Sequence, residues 1–282
     1  MPTLQTGDGL ALHLRHWPVR DGARGTVLIV HGLGEHIGRY AHVVEHLNRC
    51  GWQVTGYDQR GHGASGGQRG AIAAADSLLA DLGAVIDALR QLQPGPLVLL
   101  GHSMGGLVAG RFVAEALAEA PAPWSRAVEA LVMSSPALDP GMNAFQKGLL
   151  AVLGPLMPNL AVGNGLDPRW VSRDPAVVRA YRRDPLVHDR ITPRLARFIV
   201  EAGARVIADA PRWQLPTLLL YAGADRCVAP RGSDAFAAAA PPGVLVHQRY
   251  EGLAHEIFNE PEQAQVLADL ARWLSAHGLS KA

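Results

Sequence analysis

Cysteine is nearly absent from this 282-residue chain: Cys50 and Cys227 stand 177 positions apart. That excludes a disulfide scaffold and fits a reducing compartment. Lysine is as scarce, with Lys147 and Lys281 alone among 26 basic residues, which we read as coding bias without functional content. An excess of either charge is missing too. Lys and Arg total 26 against 25 Asp and Glu, a net of +1, so no nucleic-acid partner is expected. Apolar residues at 48% and charged residues at 18% exclude a disordered chain. Residues 1–14 show no basic start followed by an apolar run, so no signal peptide is expected and the chain reads as cytoplasmic. A clean membrane span is missing as well. The longest stretch free of charge and histidine, 148–166, has nineteen residues, but glycine, proline and asparagine break it, and only eleven are Ala, Val, Leu or Met. It reads as an apolar cap or lid segment.

What is present is a rhythm. The length fits one large domain or two small ones. Residues 10–17 (LALHLRHW) alternate after an Asp8-Gly9 turn, the pattern of half a hairpin. Residues 26–30 (TVLIV) form a continuous β-branched run, as in a buried parallel strand. Further short apolar runs lie at 54–57, 97–101, 130–134, 217–221 and 245–250. Helical patterns at 76–92, 103–117 and 262–277 fall between or after them. This alternation predicts an α/β fold with a mostly parallel sheet covered on both faces. The rhythm stops from 137 to 212, where prolines recur, short helical patterns lie between them and no strand is evident. The chain therefore divides into a discontinuous core, 1–136 and 213–282, and a mostly helical insertion, 137–212.

The strongest chemical signal is Gly101-His102-Ser103-Met104-Gly105-Gly106, which follows an apolar run and opens a helix. A sharp strand-to-helix turn needs small residues, and it projects Ser103 above the sheet at a helix N-terminus. A serine nucleophile needs a base. The order for such an elbow is serine, acid, histidine. His255, after the last strand, is the candidate base, and Asp225, on the loop after 217–221, is the candidate acid. His247 and His277, Asp209 and Asp234 fall at the wrong places along the chain. Two backbone N–H groups must stabilise the oxyanion. Met104 follows the nucleophile, and Leu33 lies between two glycines in the loop after 26–30. His31, Glu35 and His36 only superficially resemble a zinc helix motif; their spacing is one residue too long, and Gly32 and Gly34 disfavour a helix. In the loop 56–65, Asp58 and Arg60 are expected to tie the backbone by charge-assisted hydrogen bonds. Cys227 reads as a small buried residue; Trp170 and Tyr181 could line a pocket, with packing the safer reading for each.

Several segments together resemble the monoacylglycerol lipase and lysophospholipase family of α/β-hydrolases: 31–40 (HGLGEHIGRY), 56–65 (GYDQRGHGAS), 101–106 (GHSMGG), 172–174 (SRD), 184–187 (DPLV) and 252–260 (GLAHEIFNE). The resemblance covers essentially the whole chain. It implies the α/β-hydrolase fold with a cap over the site. It also implies a triad of Ser103, Asp225 and His255 and oxyanion amides at Leu33 and Met104, the positions already reached from the residues. It implies a serine ester hydrolase that cleaves monoacylglycerols to glycerol and fatty acid, is active on small carboxylesters and needs no metal or organic cofactor. The substrate-binding residues are expected in the cap, 137–212, which is also expected to touch a lipid surface transiently. A lysophospholipase remains an alternative, because eight arginines face four aspartates across 166–200. A non-catalytic ligand receptor on the same fold is a second alternative.

Overall fold

A computed structural model describes residues 3–20, 22–93 and 95–277; the ends of the core expected at 1 and 282 lie outside them. The core strands are β1 (Thr3–Gln5), β2 (Ala11–Trp17), β3 (Thr26–Val30), β4 (Gln53–Tyr57), β5 (Leu97–His102) and β6 (Ala130–Ser134). After the insertion, β9 (Thr217–Ala222) and β10 (Leu245–Tyr250) complete an eight-stranded sheet in the order β1-β2-β4-β3-β5-β6-β9-β10. β1 and β2 form the antiparallel hairpin at one edge, and from β4 to β10 every pairing is parallel. The parallel strands are short and apolar because both faces are covered. In β3, Val27 and Ile29 join one buried cluster while Leu28 and Val30 join the other.

One face carries α2 (Ser77–Leu92), α3 (Met104–Ala114) and α7 (Pro230–Ala239); the other carries α1 (Ala41–Arg49) and α8 (Gln263–Ala276). Helix α1 has no counterpart in the sequence reading. Its polar composition hides a narrow apolar stripe of Val43, Val44 and Leu47, which suffices because the helix is held from one side only.

The insertion contains α4 (Ala144–Leu156), β7 (Val162–Gly163), α5 (Pro175–Arg183), β8 (Arg190–Ile191) and α6 (Pro193–Asp209). The two-residue pair β7-β8 is antiparallel and too short to leave a periodic signal. Half of the eight prolines that interrupt the sequence pattern start helices. Pro175 and Pro193 sit in the first turn, behind Asp174 and Thr192, whose side chains cap the backbone. Helix α6 lies within the insertion yet packs as a sheet helix. Leu195, Phe198, Ala202 and Val206 belong to the same buried cluster as Leu107 and Phe112 of α3.

Helix α4 behaves in the opposite way. Phe145, Leu149, Val152 and Leu156 are exposed, and Met157, Leu160 and Val162 extend the apolar surface beyond it. No helix among the described residues is long and apolar enough to cross a membrane.

The segment from His188 to Thr192 straps the insertion to the core. The His188 N–H donates to Gly34 O at 2.8 Å, the Thr192 N–H to Gly70 O at 2.9 Å, and the His188 ring contacts Gly61 O at 3.1 Å. Both receiving glycines have positive φ. A Cβ on Gly34 would lie 2.3 Å from His188 O, and one on Gly70 would lie 2.0 Å from Arg190 O.

Candidate active site

Strand β5 ends in a turn that few residues survive. Ser103 adopts φ 53° and ψ −121°, a conformation that costs a non-glycine residue on the order of 1–3 kcal/mol. Its neighbours must be glycine. A Cβ on Gly101 would sit 2.3 Å from Gly105 O, and one on Gly105 would sit 2.0 Å from Val30 O. The strained residue is held by three backbone hydrogen bonds. Its N–H donates to Ser134 O at 2.9 Å, and its carbonyl accepts from Leu107 and Ala137, each at 3.0 Å.

The loops after β9 and β10 bring the other expected residues to this serine. His255 Nε2 lies 2.8 Å from Ser103 Oγ, and His255 Nδ1 lies 2.7 Å from Asp225 Oδ2. Asp225 Oδ1 accepts the N–H groups of Cys227 and Val228 at 2.8 and 3.1 Å. A carboxylate has no proton to give, so His255 Nδ1 carries the hydrogen and Nε2 accepts from the serine hydroxyl. Burial disfavours the imidazolium of His255, but Asp225 opposes it by charge and hydrogen bond. Glu256 and Glu35 add to this, so the histidine titrates above its ordinary value of 6.5. His102 stands 4.9 Å from it, ring centre to ring centre, and is pushed down to about 4 by burial and by His255. It is neutral near pH 7.

The rejected alternatives lie elsewhere. Asp209 pairs with Arg205 and Arg212, and Asp234 pairs with Tyr221 and Arg249. His247 lies on the edge strand β10, and His277 bonds to Trp273 O.

The loop after β3 approaches the serine from the other side. Leu33 lines the same cavity as Ser103, and its N–H has no partner among the described residues. Met104 is the first residue of α3, so its N–H is one of the unsatisfied donors of a helix start. The histidines and glutamate of this loop are engaged in protein contacts. His31 Nε2 accepts from Gln59 N–H at 2.9 Å and Nδ1 donates to Gly32 O at 2.8 Å. His36 Nε2 bonds to Asp184 at 2.8 Å. Glu35 accepts from Gly32 N–H and from the Tyr40 hydroxyl, both at 2.6 Å. Asp58 cradles the next loop by accepting the N–H groups of Ile37 and Ala64, each at 2.8 Å. Arg60 forks onto Asp81 at 2.6 and 2.7 Å.

Asp225, Cys227 and His255 could each offer a metal-ligating atom, all within 4.8 Å of one another. Two of those atoms already bond to each other, and burial, with Asp225 next, pushes the Cys227 thiol far up. This donor set suits a proton relay better than a cation.

A cavity of about 330 Å³ opens above Ser103. The insertion supplies most of its wall: Leu166, Val171 and Val187 on the apolar side, Asn164, Asp167, Arg182, Asp184 and Asp189 on the polar side. Tyr181 lines it as well and stacks on the Arg39 guanidinium at 4.7 Å, while Trp170 takes Arg226 at 5.0 Å. Tyr181 thus lines the pocket, whereas Trp170 packs outside it. Among the described residues of the stretch 148–166, Asn164 and Leu166 reach the cavity, while Phe145, Leu149, Val152 and Leu156 of α4 are exposed. Sequence reasoning missed the pairing of Arg39 with Glu256, at 2.6 and 2.7 Å, which joins the loop of Leu33 to the loop of His255. Each residue sits inside one of the distinctive segments, 31–40 and 252–260, but nothing local to either says that the two meet.

Comparison with known proteins agrees with this geometry. Residues 21–262 match the family described as serine aminopeptidase, S33. A monoacylglycerol lipase of Mycolicibacterium smegmatis is 35% identical over 265 residues, covering 93% of this chain and 91% of that protein. An uncharacterized abhydrolase domain-containing protein of Dictyostelium discoideum is 31% identical over 274 residues, and this chain spans only 28% of its length. The crystal structure of a monoacylglycerol lipase from Paleococcus ferrophilus superposes with a TM-score of 0.83 at 34% identity, covering 94% of this chain and 99% of that one.

Proposed function

The chain belongs to the serine aminopeptidase, S33, family, and on that premise we propose that it is a carboxylic ester hydrolase that cleaves monoacylglycerols to glycerol and fatty acid. The observation that carries this reading is the unbroken path of hydrogen bonds from Ser103 through His255 to Asp225, at a strained turn beneath a cavity walled by the insertion. Ser103 Oγ attacks the ester carbonyl while His255 Nε2 takes its proton. Asp225 holds the ring in the tautomer that accepts, then stabilises the imidazolium. The amides of Leu33 and Met104 stabilise the oxyanion. His255 returns the proton to the departing glycerol oxygen. Water then attacks the acyl-enzyme with His255 again as base, releasing the fatty acid.

The polar side of the cavity favours a neutral head group over a phosphate. Arg182 is the single arginine lining it, and it shares that wall with Asp167, Asp184 and Asp189. Of the other arginines of 166–200, Arg194 is half-buried and the rest are exposed. The same carboxylates leave the lysophospholipase reading without an anion site. The insertion, 137–212, acts as the cap. The outward apolar face of α4 is its contact with a lipid surface, from which an acyl chain enters. Small esters such as p-nitrophenyl acetate are turned over without that contact.

A fluorophosphonate probe tests the site and a substrate panel tests the specificity. Labelling is expected at Ser103 and lost in Ser103→Ala, with monoacylglycerol cleaved faster than lysophospholipid or diacylglycerol. Labelling of another serine overturns the site, and a preference for lysophospholipid overturns the substrate.

A further inference from the structure

One buried guanidinium joins the loop of Leu33, the loop of His255 and the insertion. The Arg39 side chain is 10% exposed, with Glu35 at 5% and Glu256 at 6%. Its NH1 donates to Glu35 Oε2 at 2.8 Å and to Glu256 Oε1 at 2.6 Å, and its NH2 donates to Glu256 Oε2 at 2.7 Å. Its face lies against Tyr181 of α5. Each carboxylate is itself anchored. Glu35 Oε1 holds the N–H of Gly32, the residue before Leu33, at 2.6 Å. Glu256 follows His255, accepts from Asn259 at 2.9 Å, and donates its own N–H to Val171 O of the insertion at 2.8 Å. Glu35 and Glu256 line the cavity, whereas Arg39 is not among the residues that line it.

We propose that Arg39 is a positioning residue: it clamps the loop that carries the Leu33 amide to the loop that carries His255, and so sets the turnover rate without touching substrate. The inference rests on the roles proposed for Leu33 and His255. The chemistry favours arginine over lysine. A planar fork can take one carboxylate with two parallel bonds and still reach the other, which a point-charge ammonium does not do. Loss of the clamp lets two loops drift by fractions of an ångström. Oxyanion stabilisation and near-attack geometry are the terms most sensitive to such drift. The clamp also sets the local charge. Two carboxylates and one guanidinium leave one net negative charge beside His255, whose other titratable neighbours are Asp225, His102 and Cys227.

Three variants test this: Arg39→Met, Arg39→Lys and Glu256→Gln. Each is measured for kcat and KM on monoacylglycerol, for the pH profile of kcat/KM and for Tm. Arg39→Met is expected to lower kcat about 100-fold with KM within about threefold, the loss that misplacement of about 1 Å can bring. It leaves two carboxylates uncompensated, so the acid limb moves to higher pH. Glu256→Gln removes one carboxylate, so the limb moves to lower pH. Arg39→Lys keeps the charge without the fork, so the wild-type limb returns while kcat stays about tenfold low. If Arg39→Met fails to fold, the other two variants still give opposite readings of charge and geometry. A kcat near wild type in Arg39→Lys overturns the clamp. So do losses that follow Tm while the acid limb stays fixed in all three. Wild-type turnover and its abolition in Ser103→Ala are measured alongside, so failure of the hydrolase reading shows separately.

Discussion

Replacing Asp225 with Asn removes a charge and almost no volume, and the surrounding backbone dictates what the new amide must do. Asp225 Oδ1 receives two fixed backbone donors, Cys227 N–H and Val228 N–H. Only an oxygen fits there, so the amide NH2 turns toward His255. There it can only donate, which forces Nδ1 to give up its proton and become the acceptor. The proton moves to Nε2, 2.8 Å from Ser103 Oγ, and the ring that should take the serine proton now donates to the serine. A tautomer error of this kind lowers kcat about 10⁴-fold, equivalent to about 5.5 kcal/mol of transition-state stabilisation. The fold should scarcely notice, because both backbone donors stay satisfied. The assay is p-nitrophenyl butyrate hydrolysis near neutral pH, with Ser103→Ala as the background and a thermal melt as the control. A folded variant that keeps more than about a tenth of wild-type kcat refutes the tautomer argument, which demands a far larger loss.

The acid limb of kcat/KM should lie above the ordinary histidine value of 6.5, because His255 holds its proton more tightly than a free imidazole and works as a base only without it; a limb at or below that value in a pH–rate profile means that Asp225 does not hold the proton on the ring. Gly105→Ala should cost roughly 3 kcal/mol or more, since its methyl would sit 2.0 Å from Val30 O and 2.4 Å from His31 O; a melting temperature near wild type would mean the elbow can relax. Phe145→Asp and Leu156→Asp replace side chains that are 77% and 74% exposed; both should keep Tm and p-nitrophenyl acetate turnover while losing binding to sedimented lipid vesicles, and unchanged vesicle binding would remove α4 from the lipid surface.

The parts of the site legible in the sequence are those encoded by neighbours. Ser103 announces itself because the strained turn needs glycines at fixed offsets on either side. Asp225 and His255 are legible from chain order, since each follows a recognisable short strand. Long-range pairing leaves no such trace: Arg39 and Glu256 are 217 positions apart, and nothing local to either says that they meet. Facing is also hidden. The apolar run at 148–166 reads as a cap or lid segment, yet an apolar helix has the same composition whether its side chains point inward or outward. Helix α6 shows the converse, an amphipathic helix inside the insertion whose partner, α3, belongs to the core.

The strap at His188–Thr192 limits how this enzyme can be re-engineered. Its backbone passes over Gly34 and Gly70 with no room for a methyl group at either. The insertion is therefore not an exchangeable module. A chimaera that grafts a foreign insertion between the core halves must bring a strap of matching path, or the loop of Leu33 loses the bond at Gly34 O that holds it. Libraries aimed at substrate range belong upstream of the strap, at wall side chains such as Asn164 and Leu166, which leave the contacts of Val171 and Tyr181 with the core in place.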